Sequence, residues 1–414
     1  VTRGRRGRLA LWAAFAALLV VTPFIFSKGF ALTLLCQMGI VMIFALSYNM
    51  LLGQTGLLSF GHAVYYGLGA IITIHALNLG HGKLPVTLMP LAGGISGLFF
   101  GAILGYVTTR RAGTTFAMIS LGVGEMVAAC SLMFPAFFGG EAGVSGNRST
   151  GSAFLGITFG PQIQMYYLVA AWLLACTVGM HALSRTPLGR MANAVRDNPE
   201  RAQFVGYNPQ MVRFLMVMLS GFFAGVAGGL AALNYEIVTA ESLSTRTSGL
   251  VLLATYLGGM GYFAGPILGA IVVTLMQTLL STVTKAWPFY FGAVFLATVL
   301  FVPGGIASVA MLHKRLWDAK LVRRASVVYA AMAIPVLVAL GAVVAMVEMA
   351  YRASGDIEGP LRMFGREFDA NASGPWIAAT IVLVVAGFAC RWTWHRVAPR
   401  WQAIAQELAT GKAP

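Results

Sequence analysis

Charged side chains are scarce in this sequence: 10% of its 414 residues are Asp, Glu, Lys or Arg, against roughly 25% in a soluble globular chain. That shortage excludes a fold wrapped on all sides in a solvated surface. Cysteine is sparse too. Cys36, Cys130, Cys176 and Cys390 fall in or at the end of apolar runs with no paired spacing, which reads as packing rather than as disulfides or metal ligation. No His/Cys/Asp/Glu spacing suggests a metal centre, and no Ser-His-Asp set can be assembled for catalysis. There is no G-x-x-x-x-G-K-[ST] phosphate loop, so the chain is expected to bind no ATP or Mg²⁺ itself and to be no ATPase. Segments of about ten residues alternating in polarity are also missing, which excludes a membrane β-barrel.

What is present is apolar surface: 58% of the residues are hydrophobic. A helix needs about 20 apolar residues to cross a bilayer. Runs that qualify, or nearly so, lie at 9–26, 30–52, 56–79, 85–108, 114–138, 163–183, 213–233, 263–282, 286–303, 327–350 and 376–390. A short run, 248–257, leads into a glycine cluster at 258–265. The expected fold is therefore an all-α, polytopic integral membrane bundle of about 10–12 transmembrane helices, short or broken near 51–62 and 248–266. The first run follows Arg3, Arg5, Arg6 and Arg8 but has no A-x-A-type site after it, so it reads as a retained helix.

The net charge of +15 would suit nucleic acid, but its distribution argues against that partner. With the N-tail inside and 248–282 crossing twice, the basic excess falls on one side, in the N-tail, Arg110–Arg111, 184–213, 313–324 and the segment from 391 on. This is the positive-inside pattern of a multi-pass inner-membrane protein with both termini cytoplasmic.

Glycine is used in rows. Gly93, Gly97, Gly101 and Gly105 form one stripe, and Gly221, Gly225 and Gly229 another, as expected for close helix packing in lipid. Gly53, Gly56 and Gly61 interrupt "LLGQTGLLSFGHAVYYGLGA" (51–70), and Gly258, Gly261 and Gly265 interrupt the later break; each reads as a break or a packing position. Irregular backbone at membrane depth is tolerated where it is buried in protein or lines a cavity. Ser59, His62 and Tyr65 are thus candidates for a translocation path, although a lone histidine also suits an interhelical hydrogen bond. Glu125, an acid deep in an apolar run, is a fourth candidate, or a structural group between helices.

The polar stretch 184–213 predicts two short helices separated at Asn198-Pro199. Leu188, Met191, Ala192 and Val195 give the first an apolar face suited to docking in a partner's groove; a plain solvated loop is the alternative.

Taken together, 51–70, the 184–206 loop, "SLGVGEMVAACSLMFPAFFGGEAGVSG" (120–146) with Gly139, Gly140 and Gly143, and "YLGGMGYFAGPILGA" (256–270) resemble the permease subunits of branched-chain amino-acid ABC importers, over 30–310 and in the family's order. The resemblance implies that the R-x-x-x-A-x-R-[DE]-N pattern at Arg190, Ala194, Arg196, Asp197 and Asn198, closed by Gly206, couples the chain to an ATPase. It also implies a second related permease, two ATP-binding subunits and a periplasmic binding protein as partners. Branched-chain amino acids are the expected cargo, with urea, amides and small organic acids as related possibilities. Two departures stand out. Ala128 and Ala129 follow Glu125 where relatives often carry a basic or bulkier residue, and 327–391 adds two helices beyond the family core. The expected organisation is a tail and first helix (1–29), a permease core (30–310), a basic linker (311–326), the extension (327–391) and a tail (392–414). The rival is a stand-alone, ion-coupled secondary transporter, which also uses broken helices; the docking loop and the shortage of intramembrane acids oppose it.

Overall fold

Hydrocarbon offers the peptide group no hydrogen-bond partner, so a chain this apolar has to pair its backbone within each segment. It does so as helices. The structure is a computed structural model that describes residues 2–80, 84–150, 158–354, 361–363, 366–368 and 372–410. Helices α1 (Thr2–Ile25), α2 (Gly29–Thr55), α3 (Ala63–Leu79), α4 (Met89–Thr108) and α5 (Thr114–Met133) are followed by the single turn α6 (Pro135–Phe138) and strand β1 (Val144–Ser145). Then come α7 (Gln162–Ser184), the short α8 (Pro187–Asp197) and α9 (Pro199–Phe204), and α10 (Pro209–Tyr235). Strand β2 (Ile237–Val238) precedes α11 (Thr245–Gly258), α12 (Gly265–Leu275), α13 (Ser281–Val283), α14 (Trp287–Phe301) and α15 (Gly305–Asp318). The chain ends with α16 (Val322–Ala353), strands β3 (Leu361–Met363) and β4 (Arg366–Phe368), and α17 (Ser373–Thr410).

Eight of the described helices are long and apolar enough to cross a membrane, and the pair α14–α15, bent by 53°, makes a ninth if counted as one span. Ala10–Ile25 and Ala63–Leu79 are apolar but shorter. The higher count expected from the sequence includes such short pieces. Both expected breaks are present. The first differs in position: the run 56–79 is helical only from Ala63, and α2 continues through Gly53 to Thr55. All four cysteines are free.

The described chain divides into two units, one of residues 1–279 and 295–307, the other of 280–294 and 308–414. In the first, α10 packs against α4, α3 and α2. Its centre is a meeting of backbones. A Cβ on Gly225 would strike the Gly93 carbonyl and come within 3.1 Å of the Gly97 Cα, and one on Gly69 would lie 2.6 Å from the Gly225 Cα. Lipid supplies little hydrophobic force between helices, so contact at this range is what holds them.

Gly139, Gly140 and Gly143 all have positive φ (77°, 63° and 75°), which explains the spacing of that motif. The turn they form delivers β1 to β2, with Val144 opposite Val238 and Ser145 opposite Ile237. Just beyond, Arg148 is buried at the end of α10. Its Nε donates to the Phe159 carbonyl (2.8 Å), and Nη1 donates to the carbonyls of Leu233 (3.1 Å) and Asn234 (3.2 Å). Nη2 donates to Gln162 Oε1 (3.1 Å) and to the Gly160 carbonyl (3.3 Å). The last carbonyls of a helix lack intrahelical donors, and a cation there also complements the helix dipole.

In the second unit α16 and α17 run antiparallel: Met349 packs on Trp376 and Ala379, Thr393 reaches Met332 Sδ (3.3 Å), and Ile404 joins Leu316, Leu321 and Ala325 in a small core. Glu348 accepts from Thr284 Oγ1 (2.6 Å) and from the Tyr290 hydroxyl (3.0 Å), an intramembrane acid that the run pattern did not single out.

The Arg148 fork leads to a prediction. Lysine keeps the charge but donates from one point, so Arg148→Lys should destabilise the protein by at least about 2 kcal/mol, read as a lower thermal midpoint in detergent. Arg111→Lys, at an exposed site, should leave the midpoint unchanged.

Candidate functional site

Breaking a helix at membrane depth strands several peptide groups, and the first break shows where they go. Gly56 takes the left-handed conformation (φ 68°) that closes α2, and both its N–H and that of Leu57 return to the Leu51 carbonyl. Ser120 Oγ of α5 accepts from the Phe60 N–H (3.1 Å), and Ser248 Oγ of α11 accepts from the Ala63 N–H (2.9 Å). The Tyr48 hydroxyl donates to the Ser59 carbonyl (2.9 Å). Gly61 is pressed onto the Ser120 carbonyl, where no Cβ fits. Residues 57–62 are buried or half-buried, and backbone groups of Ser59, Phe60 and Ala63 are paired by side chains of α2, α5 and α11.

The second break follows the same logic. Gly259, with φ 108°, carries the turn between α11 and α12, while Gly258 is the last helical residue and Gly265 the first of the next helix. Gly265 packs on the carbonyls of Gly259 and Gly258, whereas Gly261 stands in open space and needs no glycine for packing. The turn connecting α14 to α15 closes on it, Gly305 lying against Gly258 and Gly259. The two breaks meet at Gly53. A Cβ there would lie 2.7 Å from the Met260 carbonyl and 2.9 Å from Asn49 Cγ. Gly53 is thus no break, as the sequence left open, but the packing point that lets the second break approach α2.

Helices α8 and α9 form as expected, with Thr186 capping the first and Asn198 Oδ1 accepting from the Arg201 N–H (2.9 Å) to cap the second. Gly206, at φ 92°, closes the pair. The expected use of the apolar face needs correction. Ala192 and Val195 are buried, and Leu188 and Met191 half-buried, because α8 lies on α2 and α10. That face is spent on this chain's own helices. What remains outward is Arg190, Asp197, Asn198 and, on α9, the Phe204 side chain at 91% exposure. Next to Phe204, an open groove of about 320 Å³ is lined by Met191, Ala194, Asp197, Asn198, Arg201, Ala202, Val205 and Tyr207.

Arg196 joins this pair to the first break. Its Nη1 donates to the Gly53 carbonyl, its Nη2 pairs with Asp197 (2.9 Å), and its aliphatic stem occupies the space beside Gly56 where a Cβ would sit. The family resemblance flagged Arg196 for an outside partner, and the sequence did not show its bond to α2. The signal available was a helix C-terminus in need of a cation, without a neighbouring one in sequence.

Of the path candidates, Ser59 and Tyr65 line one enclosed cavity with Thr108 and Ser120. At about 10 Å³ it accommodates one water. His62 is fully buried, stacked on Phe44 and edge-on to Tyr48 and Tyr65. It shares a 3.0 Å hydrogen bond with Ser47 Oγ, and since the Ser47 proton goes to the Phe44 carbonyl (2.7 Å), His62 Nε2 is the donor. That is the interhelical hydrogen bond the sequence allowed as its alternative. Glu125 differs from its expected deep placement. It lies on the exposed side of α5, accepting from Thr245 Oγ1 at the start of α11, and is not brought to Ser59, His62 and Tyr65. Among the described residues no cluster could hold a metal.

Comparison with known proteins now adds to the geometry. Residues 30–303 match the family described as branched-chain amino acid transport system, permease component. The chain belongs to that permease family. It is 28% identical over 314 residues to the high-affinity branched-chain amino acid transport system permease protein LivM of Salmonella typhimurium, covering 71% of this chain and 73% of that one, and equally to the LivM of Escherichia coli. It is also 27% identical over 267 residues to the fructose import permease protein FrcC of Rhizobium meliloti, covering 60% of this chain and 70% of the relative. No solved structure matches it. The permease is thus a multi-pass membrane component of an ABC transporter, and the family match ends at residue 303, between α14 and α15.

The Gly53 junction can be tested in the permease directly. Gly53→Ala should cost about 1–3 kcal/mol through overpacking against Asn49 and the Met260 carbonyl, measured as a lower thermal midpoint. Gly261→Ala, in open space, should leave the midpoint within experimental error of the parent.

Proposed function

We propose that this permease imports branched-chain amino acids, or related small polar solutes, across a bacterial inner membrane, delivered by a periplasmic binding protein and driven by partner ATPases docked at α8–α9. The observation that carries the reading is the Arg196 bond to the Gly53 carbonyl. It ties the short helices α8 and α9 to the residue of α2 against which the second break packs. An ATPase that grips α8–α9 would pull on the end of α2 and, through it, on residues 56–62, of which Ser59 and Gly61 line the small cavity. Alternating access requires a partner that binds two states of the bundle unequally, and ATP-driven closure of the ATPases provides such a partner.

Phe204 and the groove beside it would be the anchor on the cytoplasmic side, because an exposed aromatic next to an apolar cleft has the character of an interface hot spot. Glu125 belongs to the same reading in another way. Met118, Gly122, Glu125, Met126, Ala129 and Met133 follow helical spacing along the exposed side of α5. A carboxylate in mid-span is costly against lipid, so this stripe suits a second permease subunit or a water-filled path between the two. The LivM likeness supports amino acids as cargo, whereas FrcC shows that the wider group includes a permease named for fructose.

The deciding experiment is reconstitution of the chain with the ATPase and binding-protein products of neighbouring genes. ATP-dependent uptake of leucine, and not of fructose, is expected; uptake by the chain alone on an ion gradient would overturn the reading. In the reconstituted system the pair Arg196→Gln with Asp197→Asn should lower uptake about tenfold or more while ATP hydrolysis continues. Phe204→Ala should weaken ATPase retention by about tenfold, the loss of one interface anchor.

A further inference from the structure

Helix α17 is 38 residues long, about 57 Å at helical rise, yet its apolar run covers only 376–390. A hydrocarbon core about 30 Å thick takes roughly 20 residues, so the helix runs well past one membrane face. Its outer side is a stripe of Ile377, Ile381, Val384, Val385 and Phe388, all exposed, with Phe388 at 72%. Such a stripe in a membrane protein contacts acyl chains. Continuing at helical spacing, the same stripe does not fade into mixed polar residues; it passes directly to Arg391, Trp392, His395 and Arg396, all exposed.

Two features make this more than a basic helix end. Arg396 stacks over the Trp392 ring, 3.8 Å from its centroid, so its guanidinium is held at the border between apolar and polar surface. No described carboxylate pairs with Arg391 or Arg396, while Arg324, deeper in the polar tip, is matched by Glu407 (3.0 Å). The apolar runs of α16 and α17, 327–350 and 376–390, both end near this level. Thr393 lies beside Met332 of α16, and one turn away Tyr329 stacks on His313. Arg391 is three residues beyond Phe388, about 4.5 Å along the axis, and Arg396 is about 12 Å beyond it. A lipid whose chain lies along Ile381 to Phe388 therefore has its phosphate between the two guanidinium groups.

We propose that Arg391, Trp392, His395 and Arg396 form a binding site for the headgroup of an anionic phospholipid. The ammonium of a zwitterionic lipid would meet the two arginines unfavourably, whereas phosphatidylglycerol or cardiolipin presents only negative charge.

The test uses the full chain, purified and placed in bilayer discs of phosphatidylethanolamine containing a minor share of phosphatidylglycerol, with retained lipid measured by native mass spectrometry. Wild type should retain phosphatidylglycerol above its share in the disc. Arg391→Gln with Arg396→Gln should reduce that enrichment by about fivefold per arginine removed. Arg391→Lys with Arg396→Lys should keep most of it, and Lys314→Gln with Arg315→Gln should leave it unchanged. Inorganic phosphate at millimolar concentration should not displace the lipid. No enrichment in wild type, unchanged enrichment in the double glutamine variant, or displacement by free phosphate would each overturn the proposal. So would intact enrichment with loss of a co-purifying protein subunit, which would assign the patch to a protein partner.

Discussion

A peptide group inside a membrane must find its hydrogen bonds within the protein, and most of what is distinctive in this chain follows from that constraint. An unbroken helix satisfies it without help. Residues 56–62 do not form one, and the pairing of this segment and the first residue after it draws on Tyr48, Ser120 and Ser248, each on a different helix. The break thereby becomes a node. Three helices are tied to it by polar bonds, and a shift of α5 or α11 has to move its backbone. The hydroxyls that look wasteful in a lipid-facing span are the donors and acceptors that make the irregular segment affordable.

The glycines answer the complementary problem, which is how to bring helices close enough for such bonds to form. Gly93, Gly97, Gly221 and Gly225 place α4 and α10 backbone against backbone, and Gly228 does the same for α10 on the Tyr66 carbonyl of α3. Glycine costs conformational entropy in a helix, roughly 0.5–1 kcal/mol against alanine. Dispersion between backbones in contact over several turns offsets it, since lipid tails compete poorly for a groove without side chains. The same device at Gly53 admits the Met260 carbonyl and brings the second break alongside the first.

Much of this was legible in one sequence, for reasons that differ by feature. Helix existence followed from apolar run length, and the α8–α9 break from Asn198-Pro199, because proline and capping chemistry act locally. The Gly139, Gly140 and Gly143 motif was legible as a pattern, and its cause is three left-handed backbones in one turn. What periodicity could not supply was direction. Leu188, Met191, Ala192 and Val195 define an apolar face equally well whether it meets a partner or, as here, α2 and α10. Glu125 sits mid-run in either case, and only the packing of α5 decides that it looks outward toward Thr245 rather than into the core. Arg148 escaped notice altogether, since a lone arginine before an apolar run resembles any flanking charge until the end of α10 is seen beside it.

Under the proposed coupling, the size of the Arg196 link matters as much as its position. A hydrogen bond from a charged donor contributes about 1.5–3 kcal/mol, and coupling between distant sites in proteins is of the same order, about 1–3 kcal/mol. A link much weaker would let α8–α9 move without disturbing α2. One much stronger would lock one state against ATP-driven change. The Gly53 carbonyl is one of the last in its helix, left without an intrahelical donor by the turn at Gly56, so breaking its bond to Arg196 strands an acceptor rather than merely loosening a surface contact. The Asp197 carboxylate holds Nε and Nη2 of the same guanidinium while Nη1 holds the Gly53 carbonyl, so a single side chain bridges the end of α8 to the end of α2. Under the proposed coupling, a movement of α8 reaches α2 through that bridge.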